Sequence, residues 1–104
     1  MVRTSELGVC MDAPVRVVYA LQEIEKIKVR DMKLEDARTS IFNHLETATL
    51  NLGKMEGCVG KETTTIRQLK NSLQRIREYA LEGSLETAQI AATHAVSGML
   101  LEMV

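Results

Sequence analysis

Residues 65–86 read TIRQLKNSLQRIREYALEGSLE, and the spacing within this stretch decides the fold. Ile66, Leu69, Leu73, Ile76 and Ala80 recur every three or four positions, which sets them on one face of a helix. Thr65, followed three positions later by Gln68, matches a capping box at its start. Gly83 stops the helix, and Ser84 can cap the next one at once, with Glu86 placed in its first turn to meet the positive end of the dipole. Two helices joined this closely form a short antiparallel hairpin.

Working outward, the same periodicity covers the rest of the chain. Val17, Ala20, Leu21, Ile24 and Ile27 mark a helix from Ala13 to about Arg30, with Asp12 as its N-cap and Pro14 in its first turn, where the missing N–H costs nothing. Residues 1–11 are expected to form an N-terminal arm. Leu34, Ala37, Ile41, Leu45, Ala48, Leu52 and Met55 mark a further helix, ending in a loop over residues 56–61. Ala13, Ala20, Ile27, Leu34, Ile41, Ala48 and Met55 repeat every seven residues, so one continuous helix is the alternative. That helix would be about 65 Å long, against a radius of gyration of roughly 13 Å for a compact chain of this size. The companion positions Asp31 and Arg38 are charged where such a seam needs apolar residues, so a bend between Arg30 and Lys33 is favoured. The expected architecture is all-α: a small four-helix up-down bundle, one domain over residues 1–104. A long antiparallel helical hairpin, with the first two helices continuous, is the alternative.

The spacing of Tyr79, Gly83, Ala88 and Ala95 is similar to the second half of a tetratricopeptide unit. Ser72, Arg75 and Ala92 depart from that pattern and no second copy follows, so the resemblance implies a helical hairpin and nothing more.

Composition narrows the function. The chain of 104 residues is 45% hydrophobic and 26% charged, too apolar for disorder, and it has no uninterrupted apolar stretch long enough to span a membrane. No basic field exists to attract nucleic acid or anionic lipid, since the formal net charge is −1. The first residues lack the apolar core of a secretory signal, and Cys10 and Cys58 form no CxxC pair, so a cytoplasmic location and free thiols are expected. Cys58, between Gly57 and Gly60 and close to Lys61, is the place where a reactive thiol would sit. His44 and His94 have no ligand-type neighbour at helical spacing, so neither a metal, a cofactor nor a catalytic constellation is expected, and an enzyme using His44, His94 or Cys58 ranks last.

Two surfaces stand out. Residues 61–77 carry Lys61, Arg67, Lys70, Arg75 and Arg77 against Glu62 alone, whereas residues 78–104 carry only acids. Arg67, Lys70, Arg75 and Arg77 would serve a nucleic-acid-binding regulator, although no aromatic residue is interleaved for base stacking. On the fourth helix, Ile90, His94 and Leu101 form an apolar strip separate from its core-facing residues, and four helices leave nothing to cover it. The favoured reading is therefore a small non-enzymatic protein that acts by protein–protein association, as adaptor, regulator or chaperone-like partner, and forms a homo-oligomer through Ile90, His94 and Leu101. Six methionines suit adaptable contacts of this kind.

Overall fold

A computed structural model describes residues 4–103, with side chains from residue 10 to residue 101. It contains four α-helices and no strand among these residues: α1 (Thr4–Lys26), α2 (Leu34–Val59), α3 (Thr64–Glu82) and α4 (Leu85–Met103). The helices alternate up and down, and each packs chiefly against two others, in the ring α1, α2, α3, α4. The particle measures 49 × 24 × 21 Å. The four-helix bundle is thus the architecture, and the continuous first helix is not.

One apolar stripe per helix builds the core. Val17, Leu21 and Ile24 of α1 meet Ile41, Leu45 and Leu52 of α2, Ile66, Leu73 and Ile76 of α3, and Val96 and Met99 of α4, all of them buried. Burying side chains of this size contributes roughly 1.5–3 kcal/mol each. Leu85 and alanines 88, 92 and 95 are the remaining buried positions of α4.

The break between α1 and α2 falls at a 3-10 turn, Val29–Asp31, followed by extended backbone at Met32 and Lys33. The seven-residue repeat carries no continuous helix across it: Ile27 is half-buried on one side of the turn and Leu34 is 48% exposed on the other. At the α3–α4 hairpin, Gly83 adopts φ 84°, with its N–H on the Ala80 carbonyl and the Ser84 N–H on the Tyr79 carbonyl. This Schellman closure needs a left-handed residue, which glycine supplies without a Cβ penalty.

Besides the end of α1, which falls at Lys26 and not near Arg30, three helix boundaries differ from those the sequence suggests. First, α1 starts at Thr4, so residues 4–11 of the expected arm are helical, Asp12 is no N-cap, and Pro14 lies inside the helix; residues 1–3 lie outside the described part. Second, α2 runs on to Val59 through Gly53 and Gly57, and only Gly60, at φ 76°, terminates it. Third, Thr63 rather than Thr65 caps α3, its hydroxyl oxygen accepting the Ile66 N–H at 3.2 Å.

Two long side chains close helix ends across the ring. Arg38 of α2 donates from Nε to the Ala80 carbonyl at 2.9 Å and from Nη2 to that of Leu81 at 3.4 Å, at the C-terminus of α3. Gln89 of α4 donates from Nε2 to the carbonyls of Ile24 at 3.1 Å and Ile27 at 2.6 Å, where α1 ends. Carbonyls left over at a helix end carry the negative pole of the dipole, so a cationic donor there is favourable on both counts. Arg38→Ala is expected to lower stability by about 1–3 kcal/mol, as loss of a charged hydrogen bond does. Urea denaturation followed by circular dichroism checks this, with Arg16→Ala on an exposed face as a neutral control.

Candidate functional surface

The outer face of α4 is the most unusual surface of the molecule. From Thr87 to Leu101 the chain contains no Asp, Glu, Lys or Arg, although α4 shows one side to solvent along its length. Ile90 is 57% exposed and Leu101 80%, with His94 exposed between them. The strip expected from the sequence is therefore not covered within the chain. Helical spacing sets these three residues at the centre of the outward face, flanked by Thr93 toward α1 and Gly98 toward α3. Leu100, 45% exposed, widens the strip and escapes a reading confined to the periodicity of Ile90, His94 and Leu101.

The surroundings of the strip differ at its two ends. Beside His94, Gly98 and Leu101 runs a shallow groove of about 310 Å³, bordered on α3 by Thr65, Gln68 and Ser72, again without a charge. Beside Ile90 the surface is polar: Glu25, Arg30, Glu86 and Gln89 line a hollow of about 510 Å³ against the end of α1. There Arg30 Nε donates to Glu86 Oε1 at 2.7 Å. The hydrogen bond and the charge of Arg30 hold the Glu86 carboxyl below its ordinary range.

The basic residues of α3 are not gathered into one patch. Lys70 Nζ lies 2.8 Å from Glu56 and 3.7 Å from Glu62, and Arg67 lies 3.9 Å from Glu62. The Glu56 hydrogen bond raises the Lys70 pKa, so the ammonium is held charged by an internal partner. Arg77 stacks over the Phe42 ring at 5.7 Å, on the edge of a groove of about 860 Å³ between α2 and α3. Arg75 is exposed, makes no ion pair among the described residues, and falls on a different side of the helix from Lys70 and Arg77. The α2–α3 groove, with Leu50 61% exposed on its rim, has no counterpart in the sequence reading.

The cysteines overturn the expectation of free thiols. Cys10 of α1 and Cys58 of α2 are joined in a disulfide, with Cα atoms 5.7 Å apart across 48 residues of sequence. Cys58 stands in the last turn of α2 rather than in a loop, and no thiolate is available while the bond is closed. His44 is half-buried on α2 and His94 exposed on α4.

No family model, curated protein or solved structure matches the chain. No helix among the described residues is long and apolar enough to cross a membrane.

The Arg30–Glu86 link has a defined pH signature. A carboxyl with a lowered folded pKa contributes stability above the ordinary glutamate range, and that contribution fades as pH falls through the folded value. Glu86→Gln is expected to flatten this acid-side slope, read as the urea midpoint against pH.

Proposed function

We propose that the chain acts by protein–protein association and that its first partner is a second copy, docked through the outer face of α4. The observation that carries this reading is the charge-free, apolar exposure of Ile90, Leu100 and Leu101. Interfaces are depleted of charge at their centres, and contiguous apolar patches are uncommon on monomers. A second copy suits the face because the face matches itself. An antiparallel pairing about a two-fold axis near Ala95 and Val96 sets Ile90 against Leu101 of the other copy and His94 against its Ser97. Neither side brings a charge that the other must answer. An adaptor, regulator or chaperone-like role would build on this dimer.

Nucleic-acid binding through Arg67, Lys70, Arg75 and Arg77 has less support, because internal acids already engage Lys70 and Arg67. Counterion release requires cations free to meet phosphates. Random DNA and RNA are expected to show no retardation at low salt.

Light scattering after size exclusion at tens of micromolar tests the main reading: the mass of two chains is expected, and a strict monomer overturns it. Leu101→Glu and Ile90→Glu should each return the mass of one chain, since an unpaired charge buried in an interface costs several kcal/mol. Both positions are exposed in the single chain, so its own stability should change by no more than about 0.5 kcal/mol.

A further inference from the structure

The Cys10–Cys58 bridge lies outside the packed core. Among the described side chains, burial on α1 starts at Ala13, and the last buried residue of α2 is Leu52. The bridge therefore joins α1 and α2 at the open end of their hairpin, beyond both. Cys58 is exposed and Cys10 half-buried, while the neighbouring Met11 and Val59 are 69% and 52% exposed.

Each helix is weakened between the core and the bridge. Pro14 removes the N–H that would bond the Cys10 carbonyl, so the segment before it is only loosely continuous with the rest of α1. Gly53 and Gly57 fall inside the last two turns of α2, where a Cβ would meet no atom within 4 Å. No crowding calls for glycine at either position, and both lower helix propensity. The end of α2 is held to the rest of the bundle by half-buried Met55 and the Glu56–Lys70 ion pair, and to α1 by one covalent bond in which Cys58 is the more exposed partner.

We propose that Cys58 is a thiol-exchange site for small monothiols such as glutathione, and that opening the bridge loosens residues 4–12 and 53–59 while the core stays folded. The thiolate of the monothiol attacks Cys58 Sγ, a new sulfur–sulfur bond forms there, and the Cys10–Cys58 bond breaks. Its electron pair leaves on Cys10 Sγ, which takes a proton from water. A second monothiol then attacks the sulfur of the first, releasing Cys58 as a thiol and the monothiol as its own disulfide. The cystine is reduced by two electrons and two monothiols are oxidised. Attack at Cys58 is favoured because exchange depends on access to the sulfur attacked. Loosening is local because regions with few buried apolar contacts open below the global unfolding energy. This inference does not depend on self-association.

The test uses the intact oxidised chain and reduced glutathione. After acid quench, peptide mass spectrometry should find the mixed disulfide on Cys58 in at least about tenfold excess over Cys10, the expected consequence of unequal access. Hydrogen exchange should then show protection across 53–59 falling by about tenfold or more, while amides across 37–48 stay within about twofold. The Cys10→Ser, Cys58→Ser double variant, with no thiol added, should reproduce that exchange pattern and keep the far-UV helical signal. An adduct mainly on Cys10, unchanged exchange at 53–59, or loss of protection across 37–48 overturns the proposal. So does a double variant without helical signal, or failure of the two thiols to pair under air oxidation.

Discussion

A helix in a four-membered ring touches two neighbours and shows the rest of its circumference to solvent, and the whole molecule is arranged around that limit. α3 largely obeys it: Ile66, Leu69, Leu73, Ile76 and Ala80 turn inward, and apart from the exposed Leu81 charged or polar side chains cover the outside. α4 departs from it. Its inward face mixes the small residues Ala88, Ala92 and Ala95 with Leu85, Val96 and Met99. Further apolar bulk is carried outside, on Ile90, Leu100 and Leu101. Apolar side chains on both faces of α4 leave the outer ones uncovered, and the exposed strip is that surplus seen from solvent.

The ring is closed differently at its two ends. Where α1 turns into α2 and α3 into α4, the chain reverses tightly, and polar side chains finish the helices: Arg38 on α3, Gln89 on α1, and the Gly83 closure between them. These bonds satisfy carbonyls that have no partner within their own helices. At the opposite end the longer helices α1 and α2 reach past the buried core, and a covalent bridge does the joining. One end is therefore held by several weak directional bonds, while the other adds a covalent bond with a redox dependence to the Thr63 cap and the Lys70–Glu56 ion pair.

Much of the fold is legible in the sequence because apolar periodicity and helix stops are local signals. The stripe of α3, the Gly83 turn and the reversal before Leu34 are all read from residues within a few positions of one another. The uncovered state of Ile90, His94 and Leu101 is legible for the same reason, since counting faces against helices needs no coordinates. The failures have physical causes. Asp12 and Pro14 resemble a helix start because proline is favoured in a first turn, yet a proline inside a helix is tolerated at a cost, and α1 continues through it. Gly57 and Gly60 look like one loop, but glycine within a helix costs only about 1 kcal/mol, and only Gly60 adopts the left-handed conformation that ends α2. Among Thr63, Thr64 and Thr65 any hydroxyl can cap, so the sequence leaves the register open by two residues. The disulfide is invisible for a different reason: a separation of 48 residues says nothing until α1 is known to extend beyond Pro14 and α2 beyond Gly57.

The two ends of the ring also give the α4 surface two different supports. Ile90 stands near the capped end, beside Gln89 and the Arg30–Glu86 pair, whose side chains tie the start of α4 to the end of α1 and the turn after it. Leu101 stands near the bridged end, since α4 runs toward the side where α1 begins and α2 stops. An antiparallel pairing of two copies would bring the firmly held end of one face against the bridged end of the other, so each half of the contact would combine one capped and one bridged element.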